Sequence, residues 1–165
     1  MEVADVDESV LPGEAPEAYV LRLARAKASQ VAGRCRKSGT VVLGADTTVV
    51  ADGEILGKPE NAADAVRMLT RLAGAVHEVL TGVVVRSGAQ EMAEVVRTRV
   101  HLLPIADDEL QWYVGTGEPE GKAGAYAIQG RAARFVDWID GSWSNVVGLP
   151  VATVARMLRE LGVVF

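Results

Sequence analysis

The sequence contains very little cysteine and histidine. Among its 165 residues there is one cysteine, Cys35, and there are two histidines, His77 and His101. A single thiol cannot form an internal disulfide, and no Cys/His cluster offers a zinc site. The chain is therefore expected to work in a reducing, cytoplasmic setting. No histidine lies near Cys35 in the sequence, so an unreactive thiol is the preferred interpretation. The two histidines are interpreted as structural residues.

Neither a membrane span nor a signal peptide is expected, and the chain has no excess of basic charge. No apolar run reaches the roughly 18 residues that a membrane span needs. The acidic N-terminus, MEVADVDESV, lacks the basic and apolar regions of a signal peptide. The formal net charge of −5 argues against a nucleic-acid partner, because broad duplex binding needs a basic face. A small anionic ligand remains compatible, since a pocket can be locally basic on an acidic protein.

What the sequence does contain is typical of one soluble globular domain covering residues 1–165. It is 49% hydrophobic and 24% charged, and its length is sufficient to bury a substantial core. The pattern predicts an α/β fold, a single domain with a mixed β-sheet and flanking helices. Helices are predicted at 16–32, from Asn61, at 107–114 and from Pro150. Strands are predicted at 40–50, 77–88, 90–104, 123–130 and 133–141, with tight turns at Asp52-Gly53 and Ser87-Gly88.

Asp46 is the first residue that could carry chemistry. It belongs to the apolar strand predicted at 40–50, where a carboxylate must be solvated, paired or bound to a metal, because burying it alone is costly. We expect Asp46 to lie at the end of this strand, and strand ends in α/β folds face the ligand crevice, which favours a functional carboxylate. An aspartate that caps local backbone amides explains the spacing equally well.

Two lysines are further candidates. Lys58 lies in a Gly-Lys-Pro corner before a predicted helix, where its charge could meet a phosphate near the helix N-terminus. Taken alone, a solvated loop lysine is the simpler interpretation. Lys27 lies at the edge of the apolar face of the first helix. Its default interpretation is a surface lysine whose stem covers apolar side chains.

Glu8 and Gln129 complete the candidates. Glu8 belongs to the acidic segment DVDES, which could bind Mg²⁺, since this ion takes one or two carboxylates plus substrate phosphates. Taken alone, a solvated acidic turn is the simpler interpretation. Gln129 follows the small residues of KAGAYAIQG, which permit close backbone approach. Its amide could recognise a base edge by paired hydrogen bonds, but a Gln before Gly at a strand end usually belongs to a polar turn. A carboxylate base, lysines and acids suit metal-assisted phosphoanhydride hydrolysis, but also many other sites.

Six segments, taken in order, resemble one family. They are DVDES with PGEAPEAYVLRLARAKA, then VLGADTTVV, GEILGKP, HEVLTGVVV, GKAGAYAIQG and GSWSNVVGLP. Over nearly the whole chain they are similar to the Maf family of nucleoside triphosphate pyrophosphatases. The resemblance implies an inosine-triphosphatase-like fold and hydrolysis of a nucleoside triphosphate to the monophosphate and pyrophosphate. It also implies a divalent cation, Mg²⁺ or Mn²⁺, and is compatible with a homodimer.

The resemblance implies roles for individual residues. In the family the aspartate of the Gly-Ala-Asp-Thr motif is the proton acceptor, which here is Asp46. Glu8 and Asp46 would bind the metal, and Lys27 and Lys58 would bind the substrate phosphates.

The resemblance also points to a substrate class. One branch of the family prefers dTTP and UTP and has Thr and Gln where this chain has Thr47 and Gln129. A branch that acts on 7-methyl-GTP has a different pattern at both places. The chain therefore resembles the dTTP/UTP branch, and Thr47 and Gln129 would hydrogen-bond a pyrimidine.

The match departs from the family at its start. Members begin with a βα unit that carries a Ser-x-Ser-Pro-Arg-Arg motif, which this sequence lacks, a difference of about 25 to 30 residues. The expectation is either a start codon assigned too late or a short natural form. On the second reading, the alternative function is a catalytically impaired module that binds nucleotides or a protein. A phosphohydrolase outside the family, acting on other phosphate esters, is the remaining alternative.

Overall fold

The computed structural model describes residues 5–34 and 39–163. Within these residues the chain forms five strands and five α-helices. In chain order they are α1 (Pro16–Arg34), β1 (Val41–Ala51), β2 (Glu54–Leu56), α2 (Ala62–Leu72), β3 (Val76–Ser87), β4 (Gln90–Leu102), α3 (Asp107–Gly115), β5 (Val136–Asp140), α4 (Trp143–Val147) and α5 (Val151–Glu160). Cys35 lies outside the described residues, so the prediction for its thiol stays a prediction.

Tight turns determine how the strands pair. The strand order in the sheet is β2-β1-β3-β4-β5. The predicted Asp52-Gly53 turn joins β1 to β2 with φ angles of 52° and 78°, and Gly88, between β3 and β4, has φ of 59°. Left-handed backbone of this kind is what short hairpin loops require. The α/β class is confirmed. The described sheet differs from the predicted mixed sheet in that its four strand pairings are all antiparallel, as expected for neighbours joined by hairpins.

The larger core lies between the sheet and the helices α2 and α3. Asn61 caps α2 as predicted, because its side-chain oxygen accepts the backbone N–H of Asp64 at 3.0 Å. One face of α2 is buried against the sheet and α3. The core at this place includes Met68, Leu69, Leu72, Val79, Val100, Leu102 and Tyr113. None of the helices within residues 5–34 and 39–163 is long and apolar enough to cross a membrane.

Two glycines let helix α1 lie directly on the opposite face of the sheet. A Cβ added at Gly82 of β3 would lie 2.6 Å from the carbonyl carbon of Val20, and one added at Gly44 of β1 would lie 2.8 Å from the Cβ of Ala28. Side chains at these two positions would therefore push α1 away from the sheet. The close packing matters for function because α1 carries Lys27 to the side chain of Asp46 in β1.

We expect Gly82→Ala to destabilise the protein strongly. The new methyl group would meet backbone atoms of α1, which cannot rotate away, so the free energy of unfolding should fall by about 3 kcal/mol, the upper end of the usual cost of overpacking. Gly33→Ala is the matched control, because Gly33 lies on α1 with open space around it. Urea unfolding of both variants checks the expectation. Equal stability of the two variants would show that α1 does not rest on Gly82.

The segment predicted as a strand at 123–130 has a different structure. Ala123–Ala125 form a short 3₁₀ turn, in which Gly124 and Ala125 have φ angles of 65° and 61°. Left-handed backbone cannot continue a strand, so the prediction of a strand here is wrong. The predicted partner at 133–141 is correct in part: β5 pairs with β4, with Val100 opposite Ile139. The turn at Gly124 instead packs on Val49 and brings the following residues to a cavity beside β1.

Candidate active site

A cavity of about 310 Å³ lies beside β1. Strand β2 pairs only with Val49–Ala51, so in the described part of the chain the edge of β1 before Val49 has no neighbour on that side. Successive side chains of a strand point to opposite faces of the sheet. Ala45, Asp46 and Thr47 nevertheless all line the cavity, which is possible because the open edge is reached from both faces.

The structure brings the predicted site residues together. Five of them line this cavity. Glu8 lines an adjoining cavity of about 290 Å³, which Asp46, Thr47 and Lys58 also line. The five are Lys27, Asp46, Thr47, Lys58 and Gln129. Positions far apart in the sequence therefore meet at one place, while the chemical roles predicted for them remain predictions.

Asp46 lies in the middle of β1, directly opposite Gly82 of β3. The expectation that it lies at a strand end is wrong, because the strand continues to Ala51. The Asp46 side chain is 10% exposed, and its Oδ1 accepts a hydrogen bond from Lys27 Nζ at 2.5 Å. Within the described residues, Oδ2 accepts no hydrogen bond. One oxygen of a mostly buried carboxylate is thus paired with a cation, and the other is available to a water molecule or a ligand.

Lys27 links two carboxylates. Its Nζ donates to Asp46 Oδ1 and, at 2.7 Å, to Glu8 Oε1. Glu8 Oε2 in turn accepts from Lys58 Nζ at 2.7 Å. The result is a chain of alternating charges that runs from the buried Asp46 to the more exposed Lys58 at the mouth of the cavity.

Burial and pairing move the pKa values of this chain in different directions. Burial raises the pKa of Asp46 above its ordinary value and outweighs the opposing effect of Lys27. The hydrogen bonds from Lys27 and Lys58 lower the pKa of Glu8. Burial alone would lower the pKa of Lys27, but its bonds to Asp46 and Glu8 raise it. At neutral pH the lysine is therefore charged, and Asp46 is a stronger base than an exposed aspartate.

The segment that carries Glu8 is tied to α1. The hydroxyl of Tyr19 donates to the backbone oxygen of Glu8 at 2.9 Å. Arg22 on the same helix holds Glu14 through two hydrogen bonds and donates to the backbone oxygen of Ser9. Asp7, another acid of this segment, accepts the N–H of Ser9 and so forms a local turn. Of the acids in DVDES, it is Glu8 that α1 places beside the two lysines.

Thr47 belongs to a hydroxyl network on the other face of the sheet. Its Oγ1 lies 2.8 Å from Oγ1 of Thr81 and 3.4 Å from the backbone oxygen of Gly148. Thr81 also donates to the backbone oxygen of Asn145, whose fully buried amide donates to Thr98 and to the backbone of β3. Thr81 and Asn145 were not among the functional residues predicted from the sequence. The sequence pointed to them only in that Thr81 lies in HEVLTGVVV and Asn145 in GSWSNVVGLP, two of the segments that resemble the family.

Residues on both sides of the turn at Gly124 form the remaining wall. Gln129 is exposed and lines the cavity, together with Tyr126 and Lys122. The side chain of Tyr126 is buried, and its hydroxyl lies 2.8 Å from Nε2 of His77. Lys122 was not among the predicted site residues, because a lysine beside a glycine in a loop is usually only solvated. The structure adds it to Lys27 and Lys58 as a cation at the cavity.

His77 makes the stability of the protein depend on pH. It is 2% exposed, and burial lowers its pKa from 6.5 to about 4. Between pH 6.5 and about 4, His77 is mostly protonated in the unfolded chain and mostly neutral in the folded chain. The stability that the neutral ring contributes above pH 6.5 is therefore lost as the pH falls towards 4, by about 3 kcal/mol in total.

We expect His77→Gln to remove this part of the pH dependence. Free energies of unfolding from urea titrations at several values between pH 7 and pH 4 check it. The slope should be steeper in the wild type than in the variant. Parallel curves for the two proteins would show that His77 is protonated as easily in the folded chain as in the unfolded one.

Two carboxylates at the cavities could hold a metal ion. Glu8 and Asp46 both bind the ammonium group of Lys27 and both line the adjoining cavity. No group of three or more His, Cys, Asp or Glu side chains within residues 5–34 and 39–163 is arranged to hold a metal by itself. Mg²⁺ does not need such a group, because it is commonly bound by one or two carboxylates together with phosphates of the substrate and water.

Comparison with known proteins agrees with the resemblance seen in the motifs. The family model described as Maf-like protein matches residues 1–161. A protein of Anaeromyxobacter dehalogenans named dTTP/UTP pyrophosphatase is 56% identical over 163 residues, which are 96% of this chain and 81% of that protein. Proteins of the same name from Geotalea uraniireducens and Burkholderia thailandensis are 53% and 52% identical, over 97% and 99% of this chain and 82% and 80% of their own lengths. The chain belongs to the Maf family.

Proposed function

We propose that this protein is a nucleoside triphosphate pyrophosphatase that hydrolyses dTTP and UTP to the monophosphate and pyrophosphate. The observation that carries the proposal is the pairing of the mostly buried Asp46 with Lys27 at the wall of a cavity that Lys58, Thr47 and Gln129 also line. Relatives that are more than half identical to the chain have the name dTTP/UTP pyrophosphatase. Such an enzyme removes nucleotides from the triphosphate pool.

Asp46 is the proton acceptor in this proposal. A water molecule at its Oδ2 loses a proton to the carboxylate and attacks the α-phosphorus. The bond from that phosphorus to the oxygen bridging it to the β-phosphate breaks, and pyrophosphate leaves. Burial raises the pKa of Asp46, which makes it a better base near neutral pH. The ion pair with Lys27 holds the carboxylate in place.

Lysines offset the charge that develops on the phosphates. Lys27, Lys58 and Lys122 line the cavity, and fixed cations aimed at a transferring phosphoryl group stabilise the transition state. Glu8 binds the ammonium groups of Lys27 and Lys58 at 2.7 Å each, so it orients both lysines. In the proposed enzyme this carboxylate positions the two cations.

A divalent cation fits the donor set. Glu8 and Asp46 supply the hard carboxylate oxygens that Mg²⁺ and Mn²⁺ prefer, at a place where a triphosphate would complete the ligands. When bound, the ion would supply Lewis-acid stabilisation of the phosphate oxygens. The same two carboxylates now bind Lys27, so a bound ion would share their oxygens with that ammonium group.

Thr47 and Gln129 are proposed to recognise the base. A side-chain amide offers one acceptor and a donor side by side, which match N3–H and O4 of uracil or thymine. We also propose that the enzyme works in the cytoplasm, as its single cysteine suggests, and that it forms a homodimer.

A substrate panel tests the proposed function. The 165-residue chain is incubated with Mg²⁺ or Mn²⁺ and each of dTTP, UTP, CTP, GTP and ATP, and pyrophosphate release is measured. The proposal predicts release that depends on the metal and is fastest for dTTP and UTP. Equal rates for all five would contradict the base selection, and no release from folded protein would favour a module that binds nucleotides without turnover.

A further inference from the structure

Glu118 holds the backbone on one side of Gln129. It lies in the loop GTGEPEG, between α3 and the turn at Gly124. Its carboxylate accepts hydrogen bonds from the backbone N–H groups of Arg131 at 2.9 Å and of Ala132 at 3.2 Å. These two amides follow Gln129 by two and three positions in the chain.

The same carboxylate holds the other side through Tyr113. The Tyr113 hydroxyl donates to Glu118 Oε1 at 2.9 Å and accepts the backbone N–H of Ala127 at 3.3 Å. The Tyr113 side chain is fully buried in the core. The Glu118 carboxylate therefore binds the backbone of Arg131 directly and that of Ala127 through Tyr113. These two residues flank Gln129 symmetrically.

Packing at Gly130 shows how tight this attachment is. A Cβ added there would lie 2.5 Å from Cδ and from Oε2 of Glu118, so the carboxyl group is pressed against the backbone directly after Gln129. Burial alone would raise the pKa of Glu118, but the N–H of Arg131, the Tyr113 hydroxyl and the N–H of Ala132 outweigh it and lower the pKa. The group is thus held as a carboxylate, which can accept all of these hydrogen bonds at once.

We propose that Glu118 is a positioning residue for base selection: together with Tyr113 it fixes the backbone of Gln129 so that the Gln129 amide meets the pyrimidine. The proposal deepens the proposed function and rests on it. In the described part of the chain no hydrogen bond holds the Gln129 side chain, so its placement depends on the backbone. Paired hydrogen bonds require placement to within about 0.5 Å, which an unattached exposed loop does not supply.

The test measures kcat/KM for UTP and CTP with the full chain. In Glu118→Gln the amide NH₂ would face a backbone N–H, so part of the attachment is lost. The ratio of UTP to CTP should fall about tenfold, the equivalent of one well-placed hydrogen bond, mainly through a higher KM for UTP. Tyr113→Phe should lower the ratio in the same direction but less. Glu120→Gln, at an exposed residue two positions further on, is the control and should keep the wild-type ratio.

Combining variants separates positioning from general stability. In a Gln129→Ala background, Glu118→Gln should no longer change the UTP to CTP ratio, because the group that it positions is gone. Melting temperatures show whether each variant is folded, and Tyr113→Phe replaces Glu118→Gln in the cycle if the latter is not.

Two outcomes have different meanings. A wild-type enzyme without preference for UTP would contradict the proposed function. A selective wild type would overturn the inference if its ratio survives both Glu118→Gln and Tyr113→Phe, or falls equally with and without Gln129.

Discussion

Replacing Asp46 by Asn is expected to abolish hydrolysis of dTTP and UTP while leaving the fold intact. An amide cannot take the proton of the attacking water, and loss of a positioned general base costs about 10²- to 10⁴-fold in rate. The fold should survive because Lys27 keeps its partner Glu8 at 2.7 Å and because burial of the Asp46 charge is itself unfavourable. Pyrophosphate release and thermal melting, measured on the same samples, check both parts.

Asp52→Asn is the matched control for this variant. It makes the same chemical change six positions further on, in the exposed turn after β1, where asparagine tolerates the φ of 52°. It should keep wild-type turnover. An Asp46→Asn protein with activity within a few-fold of the wild type would remove Asp46 from the role of base, whatever its melting temperature.

Replacing Lys27 by Met is expected to reduce kcat/KM for UTP by about 10²- to 10³-fold, the usual effect of losing one fixed group that stabilises transition-state charge. Methionine keeps much of the apolar stem but removes the ammonium group that binds both Glu8 and Asp46. These two carboxylates would then face each other without a cation between them. The variant should also melt at a lower temperature than the wild type, because Asp46 is mostly buried and would lose its partner.

Arg25→Met provides the matched control on the same helix. It removes one positive charge from α1, but Arg25 is half exposed and pairs with Glu91, away from the cavity. Such surface pairs contribute little to stability, so activity and melting temperature should stay close to those of the wild type. If Lys27→Met and Arg25→Met behave alike, net charge rather than the Lys27 bridge explains the effect.

The helices and most strands could be predicted from the sequence because their signals are local. Asn61 caps α2, Asp52-Gly53 makes the first hairpin, and β1 has the β-branched composition of a buried strand. The segment at 123–130 was different. Its apolar residues are typical of a strand, but Gly124 packs against Val49 in left-handed backbone, and that contact is formed only in the folded chain.

The site could be predicted only through the combination of motifs. Lys27 and Asp46 are 19 positions apart, and neither residue has a local pattern that favours function over solvation. Their contact depends on Gly44 and Gly82, which let α1 lie on the sheet. A single glycine in a strand does not indicate which helix will pack against it. Lys122 and Glu118 were not predicted, because each lies in a loop with the residue types of an ordinary turn.

Hydrolysis of UTP in ¹⁸O-labelled water tests the central claim most directly, since that claim is attack on the α-phosphorus by a water at Asp46. The products of the wild-type chain, with Mg²⁺ or Mn²⁺ present, are separated and their masses measured. The account predicts that the label enters UMP and that pyrophosphate remains unlabelled. Label in pyrophosphate or in inorganic phosphate would place the attack on the β- or γ-phosphorus and contradict the account.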